Sequence, residues 1–306
     1  MNDLPIFIPS YHRPTRQQTA KYFTKLGYEP SRIYVFVDDE TDDIREYEKE
    51  CTKLGVNLQI VNKEESSRRY DYVHRPSPAR RSAGQFRNMM HDFARENGIQ
   101  QYCVIDDDTR SYYVRNEKEC RKATIEDVRF VWTAIADFMH RRHIGVFALP
   151  QTGDLIGGVR PKCLFLKKVM NTTFYDTRFV YRGEKGIQDD DTSQFVGIFN
   201  SGLFTGTLYA TLCLKQTPSA TQAGGLTDLY QEQKMLNKAL VYVIQYPSAI
   251  IAEKQILNGG RLHHRIKYKY LMPCIIKNDG GRDNIAWDTY PEDVPFTNEP
   301  LNRRDG

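Results

Sequence analysis

A chain of 306 residues has room for one large or two modest domains at about 150 residues each, with ample length for a buried core, so a peptide hormone or a disulfide-stapled toxin is excluded. Hydrophobic residues make up 40% and charged residues 27%, near globular averages. No apolar stretch approaches the ~18 residues of a membrane span, and the net charge of +4 says little by itself about partners.

Leu4 to Ile8 is a short apolar run closed by Pro9 and reads as a buried strand. Thr15 to Leu26 places Ala20, Phe23 and Leu26 near helical spacing, with Gly27 as its stop, and Ile33 to Val37 is a second buried strand. A helix from Thr41 to Leu54 follows, with Ile44, Tyr47, Cys51 and Leu54 on one face, then a strand over Asn57 to Val61. Ser67 to Arg81 reads as an arginine-rich loop. After it, Ser82 to Gln85 resembles a capping box, and Phe86, Met89, Met90 and Phe93 predict an amphipathic helix ending at Gly98. Tyr102 to Ile105 is a fourth strand that runs directly into Asp106-Asp107-Asp108. Beyond residue 115 the pattern loosens to a helix over Thr124 to His140, a strand over Ile144 to Leu149 and mixed short segments, with a tail rich in Gly, Asp, Asn, Pro and Arg from Asn278.

Strands alternating with helices predict an α/β fold with a mostly parallel, Rossmann-like sheet covered on both faces. Such sheets place ligands at the carboxyl ends of their strands. The polar residues expected there are Ser10 to Arg13, Asp38 and Asp39, and the Asp106–Asp108 triplet. Three adjacent carboxylates repel one another unless a cation neutralises them, which points to Mg²⁺ or Mn²⁺; the alternative is an acidic turn. A second triplet, Asp189-Asp190-Asp191, precedes Phe195, Val196, Ile198 and Phe199, and so lies at a helix N-terminus, either as a capping cluster or as a source of a general base. His263-His264 follows Gly259-Gly260 in a basic stretch read as flexible, where one imidazole suits a metal and two surface histidines are the alternative.

Two segments join arginines to aromatic rings: Ser67 to Arg81, with Arg68, Arg69, Tyr72, Arg75, Arg80 and Arg81, and Arg261 to Tyr270. Guanidinium groups hold phosphates and rings stack on bases, so both suit a polyanion, with solvated basic loops as the alternative. The cysteines at 51, 103, 120, 163, 213 and 274 have no paired spacing and read as reduced thiols. Residues 1–13 lack a basic leader before a long apolar segment, so the expected compartment is the cytosol. No P-loop, dinucleotide-binding glycine motif or G-x-S-x-G elbow occurs.

The order of these pieces resembles the GT-A glycosyltransferases that use nucleotide sugars. Ile6-Phe-Ile-Pro-Ser-Tyr-His-Arg13 is similar to their opening strand end, Val37-Asp38-Asp39 to the base-binding acid, and Gly84-Gln-Phe-Arg-Asn88 to the G-x-x-R-N helix start. Ile105-Asp-Asp-Asp-Thr109 is similar to the D-x-D metal site, and Gln188-Asp-Asp-Asp191 to the downstream E-D-x-[DE] motif, with Gln188 replacing the usual Glu. The resemblance spans roughly residues 4 to 200. It implies a GT-A fold with a nucleotide-sugar-binding half over 1–115, an acceptor-binding and catalytic half over 116–277 with mixed structure, and a tail over 278–306.

By the same resemblance Pro9, Tyr11, Arg13, Asp38, Arg87, Asn88, Asp106 and Asp107 would contact the donor, a UDP-sugar by expectation. Asp106, Asp108 and one of His263 or His264 would hold Mn²⁺ or Mg²⁺, and Asp189, Asp190 or Asp191 would be the catalytic acid. Within the superfamily the chain also resembles phage glycosyltransferases that modify hydroxymethylpyrimidine bases in DNA. That implies a double-stranded DNA acceptor held by Arg68, Arg69, Tyr72, Arg75, Arg80 and Arg81, no membrane partner, and the host cytoplasm as the site of action. The competing readings are transfer to a protein or polysaccharide, a sugar nucleotidyltransferase, and a DNA-binding module without catalysis.

Overall fold

In β1 (Ile6–Pro9), Ile6 and Ile8 share one face and Phe7 takes the other, as the two-residue period of a strand requires. All three are fully buried, so the sheet is covered on both sides. The computed structural model describes residues 3–41, 43–70, 83–115, 120–142, 144–150, 172–178, 190–200, 205–207, 212–216, 240, 242–255, 261–267 and 270.

Ile6 and Ile8 pack with β2 (Ile33–Asp38) against α1 (Gln18–Leu26), α2 (Ile44–Leu54) and α5 (Ile125–Arg142), whose buried residues include Phe23, Tyr47 and Trp132. Phe7 belongs to the second core, with Phe86 and Met90 of α4 (Ala83–Glu96), Tyr102 and Val104 of β4 (Gln101–Val104), and Ile198 of α6 (Asp190–Asn200). Together with β3 (Asn57–Val61), β7 (Val146–Ala148), β8 (Thr173–Asp176) and β9 (Thr205–Thr207), these strands form a seven-stranded sheet in the order β3-β2-β1-β4-β8-β7-β9. It is α/β and mostly parallel, with β8 antiparallel to both of its neighbours. A three-stranded sheet pairs β10 (Leu212–Gln216), β5 (Thr109–Arg115) and β6 (Cys120–Lys122), and β11 (Ile250–Gln255) pairs β12 (Arg261–Ile266) antiparallel.

From β1 the chain moves outward through α1, β2, α2 and β3, then returns over the other face through α4 to place β4 on the far side of β1. That reversal makes the β1–β4 boundary a topological switch point, where the carboxyl ends of two adjacent strands diverge.

Several expectations change. The helix expected from Thr15 splits into a 3₁₀ turn over Pro14–Arg16 and α1 from Gln18, because the Gln18 and Thr19 N–H groups turn to the Asp107 carbonyl, at 3.0 and 3.2 Å. The helix expected from Thr41 begins at Ile44. The arginine-rich loop begins as α3 (Lys63–Arg69), capped where the Glu65 N–H donates to Asn62 Oδ1 at 2.8 Å. The stretch around His263-His264 is not a flexible loop but strand β12, because every residue from Arg261 to Ile266 has a register partner in β11. The expected cap at Ser82 and the 278–306 tail lie outside the described residues. Cys51 and Cys103 are buried free thiols, Cys120 is an exposed one, and burial pushes Cys51 up to about 11.

Candidate active site at the carboxyl edge of the sheet

The chain leaves the main sheet at Val104 and enters the second sheet at Thr109, and the turn between them is the aspartate triplet. Its three members meet different surroundings. Asp107 is buried and accepts from Arg13 Nη1 at 2.9 Å and from Ser10 Oγ at 2.7 Å. Arg13 is buried too, and its own N–H donates to the Tyr47 hydroxyl at 2.9 Å, while Gln17 Nε2 donates to Ser10 Oγ and to the Arg13 carbonyl. Burial raises the Asp107 carboxyl above its ordinary pKa and the Arg13 charge opposes that rise; burial likewise raises the Tyr47 phenol.

Asp106 is the open member: its side chain is 38% exposed and lies 3.7 Å from Nη2 of Arg87, near the start of α4. Asp108 is 6% exposed, and its Oδ1 is buried without a hydrogen-bond partner among the described residues. Burial, reinforced by the Asp107 charge, raises its pKa. A buried carboxylate oxygen with nothing to accept from is costly and invites a cation.

One buried hydroxyl fixes both ends of this turn. Thr19 Oγ1 donates to the Asp106 carbonyl and accepts from the Thr109 N–H at 3.0 Å.

The first strand end supplies Pro9, half-buried beside Phe36 in register, followed by half-buried Tyr11 and by His12, whose φ of 52° lies in the left-handed region. His12 Nδ1 lies 3.6 Å from Asp43 Oδ2. Asp38, the expected base-binding acid, is fully buried and ion-paired with Lys63 Nζ at 2.6 Å. That ammonium sits 5.3 Å from the Tyr11 ring centre and 5.4 Å from that of Phe86, so the pair is enclosed by aromatic faces. Asp39 is the exposed acid after β2, and one of its oxygens accepts from the Lys63 N–H at 3.3 Å. Arg87 and Asn88 are both buried near the start of α4, whereas of the other expected donor contacts Tyr11 is half-buried and the Asp106 side chain is partly open.

The second acidic cluster starts α6 at Asp190, with Phe195, Val196 and Ile198 buried as expected; Asp189 lies outside the described residues. The two histidines part company. His264 is buried, with Nε2 3.2 Å from Thr192 Oγ1. Half-buried His263 donates from Nδ1 to the His264 carbonyl at 2.8 Å, the tautomer in which Nε2 is the nitrogen that can accept. Among the described residues no group of three or more His, Cys, Asp or Glu side chains is arranged around one metal position, so Asp106, Asp108, His263 and His264 are not brought together as one ligand set.

No protein-family model matches the chain, and no curated protein matches it. Among solved structures it is similar to glucosyl-3-phosphoglycerate synthase from Mycobacterium tuberculosis in complex with Mg²⁺ and UDP, at 10% identity over 87% of each chain with a TM-score of 0.46. The complex of that enzyme with Mn²⁺ and UDP-glucose gives 10% identity over 87% of this chain and 86% of that one, with a TM-score of 0.45. Residue roles rest on this chain's own geometry.

Of the expected DNA contacts, Arg68 donates to Glu64 at 2.7 Å on α3, and Arg69 is shared among Glu65, Asp92 and Glu96. Arg69 is therefore spent within the protein. Tyr72, Arg75, Arg80 and Arg81 lie outside the described residues. The residues that the sequence reading missed are Thr19, Gln17, Tyr47, Lys63 and Thr192. Only Lys63 carried a signal, as a lone cation two residues past a strand and ahead of two glutamates.

A cavity of about 270 Å³ opens beside Leu4, Gln101 and Trp132, at the amino ends of β1 and β4 and so opposite the triplet. Asp3 and Arg129 on its wall are paired with each other at 2.7 and 3.0 Å.

Proposed function

We propose that the chain is a metal-dependent glycosyltransferase that takes a sugar from a nucleoside diphosphate donor, UDP by the sequence resemblance. The carrying observation is Asp108: a buried carboxylate oxygen without a hydrogen-bond partner among the described residues, beside the half-open Asp106, at the switch point of a mostly parallel sheet. Two carboxylates suit Mg²⁺ or Mn²⁺, which commonly complete their shells with waters and substrate phosphates rather than with an all-protein cage. Of the histidine pair, His263, whose Nδ1–H is anchored on a carbonyl, has the outer contact usual for a histidine ligand, but the described residues do not bring it to Asp106 and Asp108. A bound divalent ion supplies neutralisation of the departing diphosphate.

The chain's own groups do the rest. Tyr11 offers a ring face and Asp39 an exposed carboxylate for the base, in place of Asp38, while Arg87 adds positive charge near the diphosphate. An acid of the Asp189–Asp191 cluster takes the acceptor's hydroxyl proton as the acceptor oxygen bonds to the anomeric carbon. The bond from that carbon to the diphosphate oxygen breaks, and its electron pair leaves with the nucleoside diphosphate. Asp189 acting this way gives inversion.

The expected result of calorimetry with UDP and Mn²⁺ is binding that needs the metal, weakened by at least about tenfold in Asp108→Asn without loss of the fold. Undiminished binding in the variant removes Asp108 from the metal site. Release of pyrophosphate rather than UDP from a nucleotide sugar reassigns the chain as a nucleotidyltransferase. For the acceptor we propose a hydroxymethylated base in DNA, on the strength of Tyr72, Arg75, Arg80 and Arg81; labelled sugar entering protein or polysaccharide instead overturns that step.

A further inference from the structure

Helix α6 is wedged between two bodies of the protein. Ile198 joins the core against the main sheet, and Gln194 Nε2 donates to the hydroxyl of Tyr175 on β8. Phe195 and Val196 pack instead with Tyr242, Ala249 and Ile250, the cluster beneath the β11–β12 hairpin. Among the described side chains, the contact nearest the start of the helix is polar. Thr192, buried, meets Nε2 of His264 at 3.2 Å, and the imidazole is flanked by the rings of Tyr242 at 5.5 Å and His263 at 4.6 Å.

Thr192 immediately follows Asp190 and Asp191, the first two residues of α6. A helix end is where backbone bonds are fewest and fraying begins, so a buried side-chain bond in the first turn controls the order of the residues beside it. At this point the hairpin is a paired ladder, with Ala252 and His264 as register partners.

We propose that His264 is a positioning residue for the acidic cluster: through Thr192 it holds the first turn of α6 in place, so that a carboxylate there meets the acceptor hydroxyl. This rests on the glycosyl-transfer reading. It divides the labour of the histidine pair: His263 keeps a ring nitrogen for a ligand, and His264 acts through the helix.

The test uses the full chain with UDP-glucose and Mn²⁺, reading UDP release to water, and compares Thr192→Val, Thr192→Ser and His264→Gln. Thr192→Val preserves shape and keeps the test meaningful should His264→Gln fold poorly. The expected result is a fall in kcat of about tenfold to a hundredfold for Thr192→Val and His264→Gln, with KM for UDP-glucose and the Mn²⁺ midpoint unchanged. Thr192→Ser, which keeps the hydroxyl, restores turnover, and the Val/Gln double variant is no worse than either single one. Amide exchange in the first turns of α6 is expected to accelerate about tenfold in the same variants. A raised Mn²⁺ requirement in His264→Gln alone overturns the proposal in favour of direct metal ligation, and so does unaltered kcat in Thr192→Val. If the unaltered chain neither binds UDP nor releases it, the glycosyl-transfer reading falls together with the catalytic part of this proposal. The exchange measurement needs no substrate, and unchanged protection of α6 overturns the positioning even where turnover is seen.

Discussion

Thr19 shows how a neutral side chain sets the geometry of a charged site. Its hydroxyl bridges the Asp106 carbonyl and the Thr109 N–H, so the triplet turn is closed from behind by α1. Thr19→Val leaves the size unchanged but strips a buried donor and a buried acceptor of this partner, a loss of about 1–3 kcal/mol. The expected outcome is a lower unfolding midpoint in urea and weaker UDP binding in the presence of Mn²⁺, both recovered in Thr19→Ser. His91, on α4, offers a pH test. Burial, helped by the Arg95 charge and opposed by Asp92, lowers its pKa to about 4, and its Nδ1 lies 3.2 Å from the Tyr102 hydroxyl. A histidine whose folded pKa is depressed contributes stability above its unfolded value of ~6.5 and loses it as pH falls towards the folded value. Urea melts of His91→Gln between those limits should therefore depend less on pH than those of the unaltered chain. At this scale the sequence pointed to acids at the strand ends but not to the partners they meet in the fold. Asp38 and Lys63, or Arg13 and Asp107, are far apart in the chain and meet only because the parallel strands end together.

Among the elements, long helices with a clear apolar period were legible, and α5 also carries a legible start. Thr124 and Asp127 form a reciprocal box: the Thr124 N–H donates to Asp127 Oδ2 at 2.8 Å and the Asp127 N–H to Thr124 Oγ1 at 3.3 Å. Arg121 lowers the Asp127 carboxyl to about 2. Thr124→Ala should cost about 1 kcal/mol of unfolding free energy in a denaturant titration, with UDP binding untouched because α5 covers the face of the sheet away from α4. Helix α3 escaped the apolar-period test because its residues, KEESSRR, contain no apolar side chain. Charge order and a cap make it helical: Asn62 at the start, acids in the first turn, bases in the last, and Glu64–Arg68 and Glu65–Arg69 pairs along one side. Strand β12 was hidden for a different reason. Its histidines and arginines carry no strand signature, and its state is decided by β11, the nearest end of which is six positions upstream.

On the scale of the whole molecule, reversal of the winding direction at β1 and β4 determines where the charged residues gather, and the rest of the sheet stiffens that edge. The proposal of DNA as acceptor rests elsewhere, on the basic segment that follows α3 in the sequence. Arg69 is committed to three carboxylates of its own chain, so Arg69→Gln should loosen the packing of α3 on α4 and leave DNA affinity unchanged. Arg75 and Arg80 are the sharper probes, because each phosphate contact they make on DNA releases about one counterion. Converting both to glutamine is expected to weaken duplex binding in a salt titration and to reduce the slope of log affinity against log salt by about 2, with UDP and Mn²⁺ binding unaffected. The opposite pattern, lost UDP affinity with unchanged DNA binding, would place these arginines on the donor diphosphate. Indifference of both ligands would remove the arginine-rich segment from binding and, with it, the argument for DNA as acceptor.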